Sequence, residues 1–460
     1  MALAHSMRSA EAEARQRGWR RRGWSWARAW AWALPAAVVA LSACGGSGNS
    51  TETTLTGPGV SGVVNGTEVV LSQPQGSNTT EVVVDAGPAA GFSMGVANLP
   101  YVTVKVCAPG SSTACATIDH VFLDTGSVGL RLLRSTVASL NLPAMTASGG
   151  TLAECYPFVV GAVWGPMATA DLSIAGERAS GLPMQIIDDS SPAQLPATSD
   201  CLAAANGDML NTLGKLQAKG VLGVGMLRYD CGLLCELGNY SGTYTLYYSC
   251  NAAGACVPAA VRADQQVQNP VAHFAVNNNG TILALPALAD TGASVARGRL
   301  VFGIGTQPNN QLPIGGAVLH VETNPSLDDY LYISTRAGSG VYPNSYIDSG
   351  SNGYFFDGSS ISTACAGAGA GSNWFCPGTP QLLAATLNDG LGVQAGASVR
   401  IVSADLLFAS ANTAFATLGG AAGSASPGAF VWGLPFFYGR SVYTSIWGQA
   451  LAVNGPWYAF

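Results

Sequence analysis

Asp124 and Asp348 sit in matched surroundings. The first lies in His120-Val121-Phe122-Leu123-Asp124-Thr125-Gly126-Ser127-Val128-Gly129-Leu130, the second in Asn344-Ser345-Tyr346-Ile347-Asp348-Ser349-Gly350-Ser351-Asn352-Gly353-Tyr354-Phe355. Each acid follows an apolar run and precedes Thr or Ser, then Gly, then Ser. A strand can hold such an acid at the end of a buried sheet, and the glycine lets the backbone turn sharply and approach a partner. The small hydroxyls can donate to carboxylates and to an opposite loop. Two carboxylates held close cannot both ionise easily; they share a proton, one acting as base while the other stays acidic. Such a pair can activate a water for attack on a carbonyl. Asp-x-Gly-x also serves as an ordinary turn. Asp290-Thr291-Gly292-Ala293 and Asp85-Ala86-Gly87-Pro88 read that way, because the first lies only 58 residues before Asp348 and a proline breaks the second.

The elements that would position these acids are strands. Charged residues make up 10% of 460, with only three lysines, while glycine reaches 58. That composition excludes a nucleic-acid binder, which needs dense positive charge. It also argues against coiled coils and helical repeats, which need Glu, Lys and Leu in bulk. An apolar share of 48% argues against disorder over most of the chain. Short apolar or β-branched runs between turn residues predict strands at Glu81–Val84, Tyr101–Cys107, Asp119–Leu123, Asp171–Ile174, Tyr244–Tyr248, Val271–Val276, Leu300–Ile304, Ala317–Glu322 and Leu331–Ile333. Helices are expected at Asn206–Lys219, Thr379–Leu387 and Ser403–Ala411. The whole reads as mainly β in two halves, residues 81–267 and 268–460.

Residues 1–43 read as an export signal: seven arginines before residue 30, then an apolar stretch from Ala29 to Leu41 that is too short for a membrane span. The ending Leu41-Ser42-Ala43-Cys44 resembles a lipobox, which implies cleavage before Cys44 and lipid on that cysteine. Residues 44–80 would then be the lipidated cysteine and a flexible tether. Gly45 points away from inner-membrane retention, so an outer-membrane anchor is expected. Removing the signal takes seven arginines and two glutamates and leaves 13 basic and 24 acidic residues, net −11. The ten remaining cysteines suit an oxidising compartment. Proximity favours Cys107–Cys115, Cys231–Cys235, Cys250–Cys256 and Cys365–Cys376, leaving Cys155 and Cys201; other connectivities stay compatible with the sequence. The spacing is irregular and the four histidines form no cluster, so no zinc site is expected, nor any organic cofactor.

The paired loops resemble those of the pepsin-like aspartic proteases, and the resemblance spans about residues 80–450. In that family an apolar-apolar-Gly segment threads behind each loop. Here Val221-Leu222-Gly223 begins 97 residues past Asp124, and Phe430-Val431-Trp432-Gly433 begins 82 residues past Asp348. The chain also looks like a group of exported proteobacterial lipoproteins sharing this motif pair. The resemblance implies a bilobal, mainly β fold with few short helices, and a peptide or protein substrate in the interlobe cleft. Asp124 and Asp348 would be catalytic, Thr125 and Ser349 would cross-brace the loops, and Ser127 and Ser351 would bond the outer carboxylate oxygens. Gly126 and Gly350 would permit the turns. The family's flap hairpin maps to about Cys155–Gly176, but its usual Tyr-Gly pair is missing; Tyr156 and Trp164 are the candidates for that place. The activity expected is that of an envelope aspartic endopeptidase. The alternative is a non-catalytic lipoprotein of the same fold that binds peptide or glycan, and a third reading is a plain scaffold.

Overall fold

The structure, a computed structural model, describes residues 62–460 apart from 66–67, 72–75, 89–95, 206–207, 239–244, 314, 322, 325–328, 331, 359–360, 368, 370–372, 424–425, 427 and 450–454. The expected signal, Cys44 and the first part of the tether lie outside the described residues. The rest of the expected tether includes strands Gly62–Asn65 and Glu68–Leu71, which form a hairpin. The second strand of that hairpin runs parallel to Val295–Arg297 and joins the body of the protein.

The described strands fall into an 18-stranded sheet, a 7-stranded sheet and a two-stranded pair. The large sheet draws on both halves of the chain: Thr79–Val84 pairs antiparallel with Val295–Phe302, and Gly280–Ala284 pairs with both Val295–Phe302 and Ser441–Ser445. The 7-stranded sheet lies wholly within the second half. Helices are few and short; the longest α-helix among the described residues, Ser199–Ala204, has six.

The threaded segments explain how the acids are placed. Gly220–Val224 is buried at every position, as its unbroken run of small and apolar residues suggests. It lies parallel to Cys115–Asp124, with Gly223 beside Asp124, and antiparallel to Val128–Leu133, with Gly223 beside Gly129. The second half repeats the pattern. Val431–Trp432 lies parallel to Gly340–Ile347, with Trp432 beside Ile347, and antiparallel to Tyr354–Phe355. Each acid-bearing loop thus joins two strands separated by a third inserted from far downstream. The described residues are therefore mainly β, with few short helices, and place the same three-strand arrangement around each acid.

Three expected elements differ. Thr379–Leu387 is no helix: Gln381–Asn388 is a strand paired on both sides, with Gln394–Ile401 and with Ile333–Ala337. Its Leu and Ala favour helices, but the sheet decides. Among the described residues of Asn206–Lys219, only Leu213–Leu216 is helical, capped by the Thr212 side chain. Val271–Val276 is no strand, since Pro270–His273 forms a 3-10 turn capped by the Asn269 side chain. Four of the five disulfides join the cysteines that proximity favoured, and the fifth is the remaining pair, Cys155–Cys201.

Candidate active site

Asp124 ends its strand at 5% exposure and Asp348 follows its own at 6%, so both carboxyls are nearly withdrawn from water. Each is held by its own loop in the same way. Gly126 N–H donates to Asp124 Oδ1 at 2.8 Å, and Gly350 N–H donates to Asp348 Oδ1 at 2.7 Å. The loops then grip each other. Thr125 N–H donates to Ser349 Oγ at 3.0 Å, and Ser349 N–H donates to Thr125 Oγ1 at 2.9 Å. The Ser349 hydroxyl in turn donates to Leu123 O at 3.0 Å. These bonds span 224 to 226 residues of chain, so the two acids belong to one rigid unit.

The approach leaves no room for a side chain between the loops. A methyl group on Gly126 would fall 2.5 Å from Asp348 Oδ1, and one on Gly350 would strike Asp124 Oδ1. Glycine is required here by the closeness of the opposite carboxyl.

The outer oxygens are treated differently in the two loops. Ser351 Oγ donates to Asp348 Oδ2 at 2.7 Å. Ser127 Oγ, buried beside Asp124, has no hydrogen-bond partner among the described residues. Ser351 therefore meets its aspartate directly, and Ser127 does not. Both serines line the same cleft.

Asp348 is pushed well above the usual carboxylate range. Burial is the main cause and the Asp124 charge the next; a carboxyl–carboxyl hydrogen bond with Asp124 adds to both, while Ser351 and Gly350 N–H pull the other way. A buried carboxyl beside a second carboxyl keeps its proton more readily than a solvated one, and here that carboxyl is Asp348.

The carboxyls open into a cleft of about 530 Å³. Phe122, Leu216 and Val221 line it on one side, and Phe355, Trp374 and Val431 on the other. Over it stands the hairpin of Gly150–Phe158 and Gly161–Ile174, whose tip residues Val159 and Val160 are solvent-exposed. Pro157 and Phe158 face the same space. Of the two flap candidates, Tyr156 lines the cleft. Trp164 is core: it is buried, donates Nε1–H to Leu195 O at 2.8 Å and packs edge-on against Tyr248.

The remaining motifs fall elsewhere. Asp290 pairs with Arg400 at 2.7 Å, outside the cleft lining. Asp85 accepts from Gly87 N–H, and His120 bridges Asp85 and Asp119. The only grouping of metal-type ligands among the described residues is Cys365, Cys376 and Asp405. Its sulfurs are joined in a disulfide, and Asp405 accepts from Ala366 and Gly369 N–H.

Sequence reasoning missed two residues of the surroundings. Asn98, fully buried, donates Nδ2–H to Asn352 O in the Asp348 loop and to Phe415 O. Its Oδ1 accepts from Phe415 N–H and the Tyr438 hydroxyl, and nothing in the sequence marks it. Arg131 lies in the strand after the Asp124 loop, with its guanidinium NH1 donating to Val128 O at 2.6 Å. A lone charge in the apolar run Val128–Leu133 was the available signal.

Residues 74–460 match the family described as "Protein of unknown function (DUF3443)", and the chain belongs to that family. A comparison with the curated proteins finds no match. Among solved structures the chain is similar to the crystal structure of aspartic proteinase from Irpex lacteus, at 12% identity and a TM-score of 0.42, over 83% of this chain and 96% of that one.

Proposed function

We propose that this chain is an aspartic-type endopeptidase of the bacterial cell envelope. The observation that carries the reading is the reciprocal grip of Thr125 and Ser349, which sets two buried carboxyls against each other's loop glycines in the lining of one cleft. With the shared proton on Asp348, the Asp124 carboxylate takes a proton from a water between them, and that water attacks the peptide carbonyl. Asp348 protonates the carbonyl oxygen as the new C–O bond forms, and the proton taken up by Asp124 then passes to the amide nitrogen as the C–N bond breaks and the amine leaves. Gly126 and Gly350 N–H and the Ser351 hydroxyl hold the carboxyls in orientation. The apolar cleft walls suit an extended peptide with apolar side chains beside the scissile bond.

Export and anchoring are part of the same proposal. The arginine-rich start, the apolar stretch and Leu41-Ser42-Ala43-Cys44 support cleavage before Cys44, lipid attachment there and an outer-membrane site. Five disulfides fit an oxidising compartment. The test is incubation of the mature chain with a broad peptide mixture from pH 3 to 8, beside Asp124→Asn and Asp348→Asn. Cleavage by the parent alone is expected. Peptide binding without turnover by the parent would overturn the catalytic reading. Mass spectrometry of the membrane-extracted protein checks for a diacylglyceryl mass on an N-terminal Cys44.

A further inference from the structure

A second buried group of charges lies beneath the flap. Arg131, Glu154 and Asp230 side chains are all fully excluded from solvent. The guanidinium meets Glu154 twice, Nε to Oε2 at 3.2 Å and NH2 to Oε1 at 2.6 Å, and NH2 also reaches Asp230 Oδ2 at 3.0 Å. Tyr247 donates its hydroxyl to Asp230 at 2.9 Å and accepts from Val267 N–H at 2.7 Å. The Tyr156 ring lies 3.6 Å from the guanidinium carbon and covers it. Glu154 and Tyr156 are alternate residues on one face of the same flap strand, Gly150–Phe158. One guanidinium therefore ties the flap to the strand that leaves the Asp124 loop.

We propose that Arg131, Glu154 and Asp230 form a proton-holding anchor that positions Tyr156 and the flap against the cleft. The inference rests on the peptidase reading only for what the flap covers. The charge count argues it: one cation faces two acids at zero exposure, and a buried charge left uncompensated is strongly unfavourable. The cluster therefore retains one proton. The titratable groups facing one another here are Arg131, Glu154, Tyr156, Asp230 and Tyr247, drawn from three strands and a loop. Asp230 is raised well above the ordinary range, by burial first and the Glu154 charge second, against the pull of Arg131 and Tyr247. Lifting the hairpin removes the Tyr156 cover and admits water, so Asp230 relaxes toward its ordinary value and releases the proton. The closed flap then binds more protons than the open one, and opening becomes easier as pH rises through that window.

The test is hydrogen exchange of the flap amides, residues 156–163, at pH 5 and pH 8, each rate divided by its intrinsic value. It is read on an Asp124→Asn background, so that it does not depend on activity. Protection should fall by at least about tenfold between the two pH values. Either Asp230→Asn or Glu154→Gln cancels the extra acid, and each should reduce that fall to under about threefold. Unchanged protection in the parent background, or the full fall persisting in a folded Asp230→Asn or Glu154→Gln variant, overturns the proposal. Should both variants unfold, the parent measurement decides alone. Peptidase assays then separate the two claims. With the anchor correct and the peptidase reading correct, Asp230→Asn lowers KM at pH 8 with little change in kcat. With the anchor correct and the peptidase reading wrong, only exchange responds.

Discussion

The Asp124 and Asp348 loops share a backbone plan but differ in what stands behind them. In both, the acid accepts from the glycine two residues on, and a downstream strand runs parallel to the strand that delivers it. Behind Asp348 the backing is aromatic: Trp432 stacks on Phe430 at 4.4 Å, and Phe430 on Phe356 at 4.5 Å. Behind Asp124 it is aliphatic, through Leu123, Leu130 and Leu222, with the ion cluster of Arg131 beyond. Ser351 is bonded to its acid and Ser127 is not. The comparison separates two layers of control. Backbone hydrogen bonds place the carboxyls, and these are nearly symmetric. Burial and side-chain donors tune them, and these are not.

The largest expected effect removes the symmetry altogether. Asp124→Asn or Asp348→Asn should each lower peptide cleavage by at least about 10²-fold, the lower range for a general acid or base, with circular dichroism unchanged. Equal rates in parent and variants would end the paired-acid reading. Next comes the backing of the first loop. Arg131→Met leaves Glu154 and Asp230 buried without a cation, and should cost about 3–5 kcal/mol in urea unfolding at neutral pH. Smaller still, Gly126→Ala and Gly350→Ala each push a methyl into the opposite carboxyl, at about 1–3 kcal/mol. Their losses should be similar, because the two clashes mirror each other; a large difference would break the symmetry claimed for the backbone.

The serines sharpen the second layer. Ser351→Ala removes a donor to a carboxyl and should cost about 1–3 kcal/mol, while Ser127→Ala removes an unbonded hydroxyl and should change stability by no more than about 0.5 kcal/mol. Equal effects would show that the asymmetry is not real. The pH dependence follows with its sign. Asp348 is raised in the folded state, so the stability it contributes is fully present below the ordinary value of about 3.9 and is lost as pH rises through the folded value. Asp348→Asn should therefore flatten the decline of the urea midpoint between acid and neutral pH, and an unflattened decline would count against a raised Asp348.

Much of this was legible before any fold was known. Local pattern carried it: an apolar run into Asp-Thr/Ser-Gly-Ser, twice, and two glycine-centred runs at lobe-sized distances. The close cysteine pairs were legible for the same reason, since short loops close readily. Elements whose local preference opposed their surroundings were misread. Gln381–Asn388 carries helix formers and is a strand because partners wait on both sides. Trp164 lay within the region mapped to the flap and is held in the core by Leu195 O, whereas Tyr156 faces the cleft.

By itself the sequence determined the strand-rich character, the repeated loop and the identity of the two acids, because periodicity, turn chemistry and composition are local properties. Only the tertiary structure decided that Thr125 and Ser349 exchange hydrogen bonds across 224 residues, that Ser351 and not Ser127 reaches its carboxylate, and that Asn98 and Arg131 stand behind the loops. Those facts depend on which buried polar groups meet, and desolvation makes each meeting matter. No spacing along the chain encodes them.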